Sequence, residues 1–152
     1  MSTFLALSRP TEWNFPLFVH VFGAMVLVGG LLAGASTLLY ARGDARFLRL
    51  GYWTLVAVAL PGYVVMRTGA EWLYTKEGLD ELPDEPTWID MGYGIADLGA
   101  LLVLIALIVG GIGVRRLRNG GGTGLLKATM IIAWIVLVAA LVAVWAMAGK
   151  PN

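Results

Sequence analysis

The stretch LLKATMIIAWIVLVAALVAVWAMA, Leu125 to Ala148, holds one charge, Lys127, and neither glycine nor proline. A helix needs about 20 apolar residues to cross the hydrocarbon core of a bilayer, and this run supplies them without interruption. Three earlier runs have the same character. Phe15 to Tyr40 is opened by Pro16, which suits a first helical turn. Gly51 to Tyr74 contains Pro61, which removes an internal hydrogen bond and predicts a kink. Trp88 to Val114 completes the set. The spans 15–40, 51–74, 88–114 and 125–148 predict an all-α fold, an antiparallel four-helix transmembrane bundle in which residues 1–152 form one membrane domain.

Composition points the same way. Hydrophobic residues make up 59% of the chain and charged residues 14%, with a mean hydropathy of +0.78. Soluble domains carry about 25% charged residues. The net charge of +1 gives no overall pull towards nucleic acid, and none is expected as a partner. Cysteine is absent, which excludes disulfides, thiolate metal sites and cysteine-ligated clusters. With one histidine, zinc-protease spacing and Cys–His catalysis are excluded too. Gly120 to Gly124, GGGTG, reads as a turn and not as a nucleotide loop. Arg9, the apolar run and Ala33-Gly34-Ala35 imitate a secretory signal, but the run exceeds a usual signal core; a retained first helix is expected.

The connections are lopsided in charge. The first and third, 42–49 and 115–124, carry Arg42, Arg46, Arg49, Arg115, Arg116 and Arg118, with Lys127 just beyond, against Asp44 alone. The second, 75–86, holds Glu77, Asp80, Glu81, Asp84 and Glu85 against Lys76. The positive-inside rule then places the basic connections in the cytoplasm, and the acidic one and both termini outside a bacterial inner membrane. Trp13, Trp72, Trp88 and Trp145 fall at the outer ends, as an aromatic belt does.

At about 1.5 Å of rise per residue, each helix brings a polar group to the outer half, while the inner half reads as nearly all apolar. His20, Arg67, Glu71, Asp97 and Lys150 are those groups. Arg67 and Glu71 share a face of the second helix with Tyr63 and Tyr74; Tyr93 and Asp97 share one on the third, with Asp90 a heptad back. The predicted polar pocket is His20, Tyr63, Arg67, Glu71, Tyr93 and Asp97. Ionisable groups at such depth are costly unless paired or wet. The plainest reading of Arg67, Glu71 and Asp97 is a structural ion-pair network; binding a charged group or guiding protons is the other.

His20 shares a stripe with Gly23, Ala24, Leu27 and Gly34, where small residues let a helix or flat ligand approach the backbone. An interior histidine bonded to Asp97 or a tyrosine, an axial haem ligand, a copper ligand and a proton handler all remain open. Met25, Met66, Met91 and Met147 lie in the outer half and offer thioethers, although methionine is also ordinary core filler. GLLAG (30–34) and GGIG (110–113) read as close helix contacts, and the small-residue stripes suggest self-association or a membrane-complex partner.

The segment HVFGAMVLVGG (20–30), the four-span pattern, GYGIADLG (92–99) and WAMAGKP (145–151) resemble an uncharacterised, actinobacterial-type family of integral membrane proteins. More distantly, the chain resembles copper-resistance D proteins and four-helix, haem-containing protoporphyrinogen oxidases. Those likenesses imply haem b or copper at His20, the residue that can be matched. The expectation that follows has haem b on His20, Met66 or Met91 near the iron, and Arg67 at a propionate. The alternative is a non-enzymatic accessory subunit or small-ligand-binding protein with a structural His/Arg/Glu/Asp network.

Overall fold

A computed structural model describes residues 11–79 and 87–149. Among the described residues every regular element is a helix. A short 3-10 turn, Thr11–Trp13, leads into α1 (Asn14–Tyr40). Then follow α2 (Ala45–Lys76), α3 (Thr87–Arg118) and α4 (Gly124–Gly149). All four are long and apolar enough to cross a membrane. Phe18, Phe22, Leu104, Ile108, Ile131, Val138 and many like them face outwards, a surface far more apolar than a soluble monomer tolerates. Lys150 and the acids Asp80, Glu81, Asp84 and Glu85 lie outside the described residues.

The helices run further than apolarity alone suggests. Most of the expected basic connection 42–49 is the first turn of α2. Asp44 caps it, accepting the Arg46 amide at 2.7 Å, while Leu48 turns inwards and Arg46 stays exposed. An aspartate in extended conformation that accepts from the first-turn amides is what starts a helix. At the far end α3 continues through Arg115, Arg116 and Arg118, whose charges suit a helix C-terminus.

Pro61 does not end α2. Lacking an N–H, it cannot bond back to the preceding turn, and the helix absorbs the defect as a π turn over Leu55–Ala59. There the Leu60 amide reaches the Leu55 carbonyl, five residues back, the spacing of a π-bulge.

Glycine governs how α1 meets α2. A Cβ on Gly30 would lie 2.7 Å from the Ala59 nitrogen, and one on Gly62 would lie 2.5 Å from that of Leu27. Gly23 likewise abuts the Met66 backbone and Gly69 that of His20. Backbone meets backbone along this seam, with contacts recurring every seven residues, the repeat of supercoiled helix pairs. Gly23, Gly30, Gly62 and Gly69 are thereby occupied by contacts between α1 and α2.

The buried cluster of Leu27, Leu31, Leu38, Leu55, Ala59, Val103, Leu126, Ala133, Val136 and Leu137 fills the middle and one end of the bundle. That half is less purely apolar than the sequence suggests. Thr129 is fully buried and donates to the Leu125 carbonyl at 3.0 Å. The Tyr52 hydroxyl donates to the Leu107 carbonyl at 3.1 Å.

Candidate functional site

The six residues predicted to form one pocket divide between two seams of α2. Tyr63, Arg67, Glu71, Tyr93 and Asp97 gather where α2 faces α3. His20 lies where α2 faces α1.

The 60–76 half of α2 leans on α1 and scarcely meets α3 backbone to backbone. Side chains span the gap instead. Arg67 bonds Glu71 on its own helix at 3.1 Å and Asp97 across the seam at 3.2 Å. Its guanidinium carbon stands 4.4 Å above the centre of the Tyr93 ring, within the range of a cation–π contact. Tyr93 in turn packs on Tyr74, ring centres 5.6 Å apart, and the Tyr63 hydroxyl donates to the Ala96 carbonyl at 3.4 Å. One cation thus serves two anions. The Arg67 side chain is 28% exposed, but those of Glu71 and Asp97 are 52% and 64% exposed. Both carboxylates therefore keep lone pairs open to the surroundings, and the cluster carries a formal excess of one negative charge.

His20 is held differently. Its Nδ1 lies 3.0 Å from the Met66 carbonyl oxygen. A carbonyl only accepts, so Nδ1 carries the hydrogen and, in the neutral ring, Nε2 holds the lone pair. The contact exists because Gly69 lets the His20 backbone sit directly on α2.

The methionines serve mostly as packing. Met66 packs against the core cluster and meets His20 through its carbonyl. The Met147 methyl occupies the space a side chain on Gly92 would take, which closes α4 onto α3. Met25 is exposed among the outward-facing apolar side chains. Met91, on the first turns of α3, is half-buried.

Sequence reading missed the other end of the bundle, where Tyr52 and Trp53 meet the Gly110-Gly111 pair and the arginines of α3. The available signal was the aromatic pair at the start of α2, at the same depth as two adjacent glycines. No family model, curated protein or solved structure matches the chain.

Proposed function

We propose that this chain is a non-enzymatic membrane protein that recognises a cationic group at the outer seam between α2 and α3. In this reading the bundle is antiparallel in a bacterial inner membrane, with both termini and the acidic connection outside. The surplus carboxylate at the Arg67–Glu71–Asp97 cluster carries the proposal. The half-exposed carboxylates of Glu71 and Asp97 offer an ammonium the charge and the acceptor oxygens it seeks. The connection that follows α2 in sequence is rich in acids, and charge of that sign favours cations over anions.

Tetramethylammonium, spermidine and a lysine-rich peptide, titrated onto the detergent-purified protein, test it through the unfolding temperature. A ligand at about 100 times its Kd adds about 2.7 kcal/mol of stability. At least one probe should raise Tm, and the rise should disappear in E71Q/D97N. No rise with any probe, or an equal rise in the variant, removes the proposal.

A second reading, haem b at His20, is favoured by one observation: Nδ1–H bound to a carbonyl leaves Nε2 free, the usual arrangement of a metal-ligating histidine. The neighbouring residues do not complete that site. Arg67 is already held by two carboxylates, which would repel a propionate. Met66 meets the ring through its backbone carbonyl, while its side chain packs against the core cluster. Visible spectra of protein expressed with ample haem separate the cases. A Soret band lost in H20A establishes the ligand, with resemblance to the haem-containing families gaining weight. A colourless protein leaves His20 as a hydrogen-bonding residue whose removal costs about 1 kcal/mol.

A further inference from the structure

At the end of the bundle remote from Arg67, α2 and α3 part to form a groove of about 350 Å3. Tyr52, Trp53, Gly111, Val114, Arg115 and Arg118 line it. Its floor exists because α3 has no side chains at Gly110 and Gly111. A Cβ on Gly110 would come 2.6 Å from Tyr52 Cδ2, and one on Gly111 3.0 Å from the Tyr52 hydroxyl. Trp53 stands edge-on to Tyr52, ring centres 5.4 Å apart, and is half-exposed. Arg115 and Arg118, three residues apart, share a side of the last turns of α3. Arg116, between them, is not part of the lining.

Among the described residues the ion pairs belong to Arg67, and neither Arg115 nor Arg118 has a hydrogen-bonding or ionic partner. No acid lines the groove. Cations at a helix C-terminus and at the cytoplasmic side of a span are common for reasons of dipole and topology alone. Those reasons would treat Arg116 like its neighbours, and they require no groove. Here two arginines and an aromatic pair line one groove, and Trp53 in that lining is also outward-facing. A ligand with an anionic head and an apolar tail fits that lining, and basic pockets between membrane helices are known to take such headgroups.

We propose that the groove binds the phosphate of an anionic membrane phospholipid. Arg115 and Arg118 donate to the phosphate oxygens, a geometry guanidinium groups favour, and the upper acyl chain lies along Val114 and Trp53.

Native mass spectrometry of the detergent-purified full chain tests this with phosphatidylglycerol, phosphatidylcholine and inorganic phosphate as probes. Wild type should retain phosphatidylglycerol in preference to phosphatidylcholine. R115Q and R118Q should each weaken that retention about tenfold, the scale of one charge-assisted hydrogen bond, while R116Q should leave it unchanged. Equal loss in R116Q would reduce the effect to general surface charge and overturn the site. So would equal retention of the two lipids. Displacement of phosphatidylglycerol by an equal concentration of inorganic phosphate would make the groove a free-anion site instead of a lipid site.

Discussion

Valine at Gly30 should break the packing of α1 on α2, whereas valine at Gly29 should change little. The two positions are adjacent in one helix, both glycine, and differ in what a new side chain meets. A Cβ on Gly30 lies 2.7 Å from the Ala59 nitrogen, 2.9 Å from its Cα and 3.1 Å from the Val58 carbonyl carbon. Those are main-chain atoms of a hydrogen-bonded helix, so no rotamer change relieves the clash. A Cβ on Gly29 meets nothing within 4 Å. Overpacking costs typically about 1–3 kcal/mol even where side chains give way; with backbone on the far side, G30V should cost about 3 kcal/mol or more. G29V should stay within about 0.5 kcal/mol, as exposed substitutions do. Denaturant unfolding in mixed micelles reads both. Similar losses in the two variants would mean that the α1–α2 seam is not held by close approach. The disturbance at Gly30 should also reach His20, since its bond to the Met66 carbonyl depends on the same backbone separation.

That seam shows how far sequence reading reaches. The four spans are legible because a bilayer imposes a length on every apolar run, and the stripe from His20 through Gly34 correctly marks a face of close contact. What depth cannot supply is direction around the helix axis. Met66 and Arg67 are neighbours in sequence and equal in depth, yet residues in a helix turn by about 100° each. The Met66 carbonyl therefore serves His20 on α1, while the Arg67 side chain crosses to Asp97 on α3. A list ordered by depth merges them into one pocket; the packing of α2 separates them. The groove at the other end was illegible for a related reason. Arg115, Arg116 and Arg118 read together as a topology signal, and only the groove between Tyr52, Trp53 and α3 distinguishes two of them from the third. Loop lengths were overestimated because a polar helical turn capped by Asp44 looks like a connection when apolarity is the sole criterion.

Arg67 is where the seam between α2 and α3 should prove most sensitive. It neutralises Glu71 at 3.1 Å and Asp97 at 3.2 Å and rests on Tyr93, so R67M leaves two uncompensated carboxylates within the span. Insertion scales place one such charge at about 2.5–3.5 kcal/mol at mid-membrane. The half-exposed setting lowers that figure, and R67M should cost about 2 kcal/mol, in keeping with the penalty for stranding one partner of an ion pair. D97N removes one anion and leaves Arg67 balanced by Glu71, so its cost should be about 1 kcal/mol or less. The triple variant R67M/E71Q/D97N carries no charge at the seam and should recover most of what R67M loses. Such recovery is a coupling that independent sites do not show. Unfolding of the four proteins in one detergent measures it. If R67M is no worse than D97N, or if the triple variant is the least stable, Arg67 is not the hub of the seam. In that case the surplus carboxylate cannot be what attracts a cation there, because a charge already neutralised by its surroundings has nothing left to offer a ligand.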